Sequence, residues 1–239
     1  MCIRDRPKVW RIVDLIQWSE SYFRKKSHQN PRIEIEWMLC SLLNCERLDL
    51  YMRFDEPLSG SQLSTLRGWV KRRSKNEPLQ YITESCEFYG IEFFVDKRVL
   101  IPRPETERLI DEAIKSIKHV RSPNIFDIGT GSGCIAIALA KRIEKSNVIG
   151  IDKSIMSLQV AKKNSAELNV ENVTFFEMDI LNQYPKEKFD LVISNPPYVP
   201  KKEIPSLMKD VKDFEPEIAL TDFDDGLTFY KRISKIIPH

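Results

Sequence analysis

Apolar residues in the first third of the chain recur at helical spacing. Val9, Ile12, Val13 and Ile16 fall on one face, with Phe23 further along it. "NPRIEIEWMLCSLL" then opens with Asn30 as a cap and Pro31 at the first helical position. A short segment comes next around Leu48 to Phe54, and a longer one from Ser61 presents Leu63, Leu66, Trp69 and Val70 to one side. The pattern predicts a small all-α helical bundle over residues 1–83.

The period changes at "CEFYGIEFFVD", where apolar and aromatic residues lie on either side of Tyr89-Gly90. This predicts a β-hairpin, and residues 84–101 are expected to bridge the bundle to the C-terminal part of the chain. From residue 102 to 239 short apolar strands alternate with helices. "NIFDIG", "NVIGID", "VTFFEMD" and "FDLVISN" read as strands, with "GCIAIALAKRI" and "SIMSLQVAKKNSAEL" as helices between them. Such alternation predicts an α/β fold with a parallel, doubly wound sheet covered on both faces.

Composition narrows the function classes only slightly. Hydrophobic residues make up 42% and charged residues 30%, with a formal charge of +2, as in an ordinary globular protein and not a nucleic-acid-coating one. The bundle's last helix ends in "KRRSK", residues 71–75, read either as solvated cations complementing a helix C-terminus or as a patch for an acidic partner. Cys2, Cys40, Cys45, Cys86 and Cys134 form no CxxC pair and sit mostly among apolar neighbours, so neither a disulfide framework nor a zinc site is expected. His28, His119 and His239 are scattered and read as plain solvated side chains, leaving no metal site. No apolar run approaches the roughly 20 residues of a membrane helix, and the expected location is the cytoplasm. The opening "MCIRDR" fits neither a helix face nor a cap and reads as a cloning or assembly scar.

Three stretches carry chemistry. "FDIGTGSG" puts Gly129, Thr130, Gly131, Ser132 and Gly133 at a strand-to-helix turn, where the backbone must bend sharply and let a ligand approach unpaired helix N–H groups. An ordinary tight loop is the alternative. Asp152 closes the next strand, where a carboxylate can accept both ribose hydroxyls of an adenosine-containing cofactor, each bond worth roughly 1.5–3 kcal/mol. Its alternative is an N-cap, which Ser154 could supply instead. The spacing G-x-G-x-G, not G-x-G-x-x-G, favours S-adenosylmethionine over a dinucleotide. Asp179 could then accept the adenine amino group with Ile180 against the ring, or merely close a turn.

The third stretch is "SNPPYVP", at the carboxyl edge of the sheet, where open α/β sheets bind ligands. Pro196 and Pro197 fix φ and lack N–H groups, leaving the Asn195 side-chain oxygen and the Pro196 carbonyl as two acceptors for a substrate NH₂, with Tyr198 as a stacking face. A conjugated nitrogen is a poor nucleophile because its lone pair is delocalised. Two acceptors can hold both protons and stabilise the charge developing on nitrogen while a methyl group is aligned for in-line attack. A proline-rich strand exit with a surface tyrosine is the bland alternative.

Together the glycine turn, Asp152 and "NPPY" resemble the class I S-adenosylmethionine methyltransferases that act on planar nitrogens. With "EPLQYI", "EFYGIEFFVDKRVLIPRPETE", "FEPEIAL" and "DGLTFY", the chain more narrowly resembles the HemK-type N5-glutamine methyltransferases of peptide chain release factors. That resemblance implies a five-helix domain docking the protein substrate, a hairpin linker and a Rossmann-like catalytic domain. It implies a release-factor Gly-Gly-Gln loop as substrate; a monomer is the expected state. Residues 129 to 133, Asp152, Asp179, Ile180 and Asn195 match the family's cofactor positions, and Asn195 to Tyr198 its glutamine-binding motif. Arg103 to Glu107 should lie near the cofactor crevice without an assigned role, Thr106 capping the helix that starts there being the bland reading. The sheet of this class has seven strands and this sequence supplies the first four, so a C-terminal truncation with an exposed sheet edge is expected.

Three other readings compete. A sister class methylates a glutamine of a ribosomal protein, and adenine or guanine methylation in nucleic acid would need a broad basic, aromatic-lined surface. A non-enzymatic binding module is the third class, since the sheet is incomplete.

Overall fold

The computed structural model describes residues 9–26 and 28–236, so "MCIRDR" and His239 lie outside the described residues. The chain divides into two compact units, with the boundary between Thr83 and Glu84.

The first unit is helical: α1 (Ile12–Arg24), α2 (Pro31–Leu43), α3 (Arg47–Met52), α4 (Gly60–Arg73) and α5 (Leu79–Thr83). Its core joins Ile12, Ile16 and Phe23 of α1 to Ile35, Met38 and Leu39 of α2 and Leu66 and Val70 of α4. α4 starts on a reciprocal cap: the Ser59 hydroxyl accepts from the Gln62 N–H at 3.2 Å and the Gln62 side chain from the Ser59 N–H at 2.8 Å. Asn30, expected to cap α2, makes no side-chain cap bond; Pro31 alone marks that start.

Two readings of charge fail here. In "KRRSK", Arg73 forks onto the nearly buried Glu34 at 2.8 and 2.9 Å, and Arg72 bonds Glu77 at 2.6 Å and the Tyr81 carbonyl at 3.0 Å. Arg73 is therefore an internal staple of the bundle, and Arg72, though part-exposed, ties the end of α4 to Glu77 and α5; neither belongs to a free basic patch. His28 is buried as well, with Nδ1 2.8 Å from the Glu34 carboxylate.

The second unit opens with the hairpin β1 (Ser85–Phe88) and β2 (Ile91–Phe94), paired with Phe88 opposite Ile91. Tyr89 and Gly90 both have positive φ, as a two-residue turn matched to strand twist requires. The hairpin belongs to this unit's core and is no free linker. Phe88 and Phe93 pack with Ile110, Leu139 and Val148, and the Asn164 side chain bonds both the N–H and the carbonyl of Phe94, at 2.8 and 3.0 Å.

A 3₁₀ turn (Pro104–Thr106) leads into α6 (Glu107–Ile117). The sheet is then built from β3 (Asn124–Ile128), α7 (Cys134–Arg142), β4 (Asn147–Asp152), α8 (Ile155–Glu167), β5 (Val173–Glu177) and β6 (Leu191–Ser194). All four strands are parallel in the order β5-β4-β3-β6. One face buries Ile125, Val148, Phe175 and Ile193 against α6, α7, α8 and the hairpin. The other carries Phe126, Ile128, Ile151 and Ile180 and packs against Phe229 and Ile233 of α11 (Thr228–Ile236). Two short helices intervene, α9 (Lys209–Phe214) and α10 (Glu217–Leu220), after a 3₁₀ segment (Lys201–Ser206). Among the described residues β6 pairs only with β3 and forms a sheet edge.

Candidate functional site

The glycine turn, Asp152, Asp179, Ile180 and "NPPY" all lie at or just beyond the carboxyl ends of the four parallel strands. The turn from Gly129 to Gly133 joins β3 to α7, and Asp152 ends β4. Asp179 and Ile180 come after β5, and Asn195 to Tyr198 after β6. The register puts Ile128 opposite Ser194, so Asn195 emerges beside the start of the glycine turn. The Ser194 hydroxyl donates to the Ile128 carbonyl at 2.8 Å and fixes that junction.

Gly129, Gly131 and Gly133 all have positive φ, which L side chains rarely adopt. A Cβ on Gly129 or Gly131 would meet no atom within 4 Å, so the turn faces open space, whereas one on Gly133 would press on Ala161 and Ile137. Beside the turn, the Asp152 carboxylate accepts from the Gly131 N–H at 2.9 Å and the Ser154 N–H at 2.8 Å. Ser154 caps α8 through its own hydroxyl, which accepts from the Ser157 N–H at 3.2 Å. Burial pushes the Asp152 carboxyl up, and the backbone N–H groups of Ser154 and Gly131 oppose that.

Asp179 lies beyond the strand it was expected to end. It accepts from the Leu181 N–H and the Asn182 side chain, each at 3.0 Å, and faces Lys153 at 3.3 Å. Its turn-closing role is thus real. Ile180 is buried against the sheet beside Phe126 and Ile151.

Around "NPPY" a cavity of about 380 Å³ opens between Asn195, Tyr198, Arg103, Thr106, Leu109 and Val211. Pro196 is buried and Tyr198 exposed. "IPRPETE" forms one wall, and its residues have partners there. Arg103 bonds the buried Glu215 of "FEPE" at 2.6 Å. Thr106 makes no cap bond; its hydroxyl accepts from the Asn195 amide at 3.2 Å. Glu107 accepts from the Tyr89 N–H at the hairpin turn, at 2.9 Å.

The segment from Leu220 into "DGLTFY" packs on the exit of the motif. Val199 N–H donates to the Leu220 carbonyl at 2.9 Å and Lys201 N–H to the Asp224 carbonyl at 3.0 Å. Gly226 has a φ of 83° and lies so close that a Cβ would collide with the Tyr198 carbonyl. That loop is tied by Asp222, which accepts from the N–H groups of Asp224, Gly226 and Thr228 at 2.9–3.0 Å. These bonds outweigh burial and hold its carboxyl down to about 2.

Over 234 residues the chain is 40% identical to the release factor glutamine methyltransferase of Geobacter sulfurreducens, a match covering 98% of this chain and 81% of that one. This chain belongs to the release factor glutamine methyltransferases. The relative of that name from Chlorobaculum tepidum is 38% identical, with 97% and 82% covered. Residues 14–83 match the PrmC N-terminal domain and residues 107–211 the methyltransferase small domain. The hMettl16 catalytic domain in complex with the MAT2A 3'UTR hairpin 6 shares the fold, with a TM-score of 0.51 and 18% identity over 74% of this chain and 62% of that one.

One further candidate residue was missed from sequence. Asp127 lies wholly inside β3 under the glycine turn; its Oδ2 accepts from the Thr130 hydroxyl at 2.7 Å and its Oδ1 has no partner. An orphaned buried acceptor beside an open backbone cradle fits a ligand that brings donors of its own, as an aminoacyl-adenosyl cofactor does. The only sequence signal was an acid inside an otherwise apolar strand.

Burial pushes the Asp127 carboxyl up to about 7, against the Thr130 hydrogen bond. The folded protein therefore keeps a proton that the unfolded chain releases near its ordinary value of about 3.9. The associated stability is full below about pH 4 and drains as the pH rises through about 7. Asp127→Asn removes this dependence while keeping an acceptor for Thr130. Without cofactor, the variant should lose less melting temperature than the parent between about pH 5 and pH 8; parallel pH profiles would refute the assignment.

Proposed function

We propose that this protein methylates the side-chain amide nitrogen of the glutamine in a Gly-Gly-Gln loop of a peptide chain release factor. The single observation carrying the reading is the acceptor Asn195, set at the head of a cavity beside the glycine turn in a chain of this family. S-adenosylmethionine supplies an electrophilic methyl group on a sulfonium, which leaves as a neutral thioether when the nitrogen forms its new bond. Residues 129–133, with Asp127, would receive the amino-acid end of that cofactor, Asp152 its ribose, and Asp179 and Ile180 its adenine.

The chain's own part in the reaction is to hold the acceptor. Asn195 Oδ1 and the Pro196 carbonyl take the two amide hydrogens, while Pro197 keeps that backbone rigid and Tyr198 covers the amide plane. Positive charge growing on nitrogen is stabilised by those oxygens, and one proton then passes to solvent. Among the described residues the cavity lining contains no histidine, cysteine or serine. None is required, because no covalent intermediate forms. The helical unit would select the protein substrate, and the enzyme would act as a cytoplasmic monomer without a nucleic-acid target.

Labelled S-adenosylmethionine tests the reading against a release factor, its loop Gln→Ala variant and duplex DNA. Label should appear only on the intact release factor. Label on DNA, or undiminished label on the loop variant, would overturn it.

A further inference from the structure

We infer that Thr106 is a positioning residue for methyl transfer, fixing which end of the Asn195 side-chain amide faces the substrate. The inference rests on the function proposed above and concerns a residue outside the "NPPY" motif. An asparagine amide has a donor end and an acceptor end of nearly the same shape, and only the acceptor end can hold a substrate NH₂. Left alone, the side chain could rotate and present its own NH₂, which would repel the substrate's hydrogens. Something must hold the nitrogen end away.

Thr106 is placed to do so. Its hydroxyl lies 3.2 Å from Asn195 Nδ2, and the residue is only 8% exposed. Its backbone is helical (φ −69°, ψ −20°), a geometry in which the hydroxyl caps no helix N–H, so the oxygen is left to accept from Asn195. The short turn that carries it is anchored at both ends. Arg103 is held by Glu215 before it and Glu107 by the Tyr89 N–H after it, and the Thr106 N–H itself bonds the Arg103 carbonyl at 2.9 Å. With the hydroxyl accepting from Nδ2, Asn195 Oδ1 is directed away from Thr106 and left for the substrate NH₂. The same orientation discriminates between glutamine and glutamate side chains, since two acceptors welcome an NH₂ and repel a carboxylate.

Thr106→Val preserves shape and deletes the hydroxyl; Thr106→Ser keeps it. The valine variant should lose about five- to tenfold in kcat, the equivalent of one hydrogen bond, with cofactor Kd and release-factor KM within about twofold of the parent. The serine variant should regain most of the turnover. Should valine prevent folding, judged by melting temperature, Thr106→Ala carries the same comparison. A hydroxyl-free variant with parental kcat would overturn the proposal, as would a serine variant as slow as valine. Absence of label on the loop glutamine by the parent itself, or full activity of Asn195→Ala, would instead refute the function on which the inference rests.

Discussion

Asn195→Ala is expected to lower turnover by roughly 10²–10³-fold, the scale on which removing one preorganised charge-stabilising group acts. The substitution removes Oδ1 and also the partner of Thr106, so the amide nitrogen loses its orientation as well as its stabilisation. Neither loss is made good within the motif, because the Pro196 carbonyl is already committed to the other amide hydrogen in the proposed pose and the proline rings hold that backbone in place. The fold should survive, since Asn195 is only partly buried and its side chain bonds the single hydroxyl of Thr106. Asp152→Ala is the informative contrast: it should raise the cofactor Kd well before it touches the rate at saturation. Comparable kcat losses in both variants, with cofactor affinity unchanged in each, would refute the division of roles.

The second large effect is on stability. Arg103→Ala strips the partner from Glu215, whose side chain is 1% exposed, and leaves a buried carboxylate with only the distant Ile101 N–H at 3.4 Å. Removing one member of such a pair costs about 3–5 kcal/mol, or roughly 6–20 °C in melting temperature for a unit of this size. Burial already pushes the Glu215 carboxyl up, ahead of the opposing pull of Arg103, and the variant raises it further. A carboxyl raised in the folded state contributes stability at low pH and loses it as the pH rises. The deficit of Arg103→Ala should therefore be larger at about pH 8 than at about pH 5. The double variant Arg103→Leu/Glu215→Leu should recover most of the loss, because replacing both charges leaves none unpaired. A pH-independent deficit would mean that the loss comes from packing and not from the stranded charge.

How much of this was legible in the sequence depended on range. The strands, the hairpin turn at Tyr89-Gly90 and the glycine turn announce themselves because period and φ requirements are local properties. The positions of Asp152 and Asn195 at strand ends came from the same alternation. Arg103 and Glu215 lie far apart in sequence, and nothing near either one signals the other. His28 and Arg73 were misread for the same reason: a polar group near charges looks solvated until the fold brings a partner, here the carboxylate of Glu34. The bland alternative, a cap at Thr106, does not form although its place before an acidic helical start is the usual cap position, and only the path of the chain after β6 shows where its hydroxyl goes.

The contact of Gly226 with the Tyr198 carbonyl bears on the order in which this unit is completed. Geometry from the glycine turn to Asp152 is set by the neighbouring strands β3 and β4, which precede the motif in the chain. The acceptor side stays unfinished until the Asp222-tied loop arrives to press on the motif's exit. In chain order, the residues proposed to hold the methyl donor therefore all precede the loop that completes the proposed acceptor side.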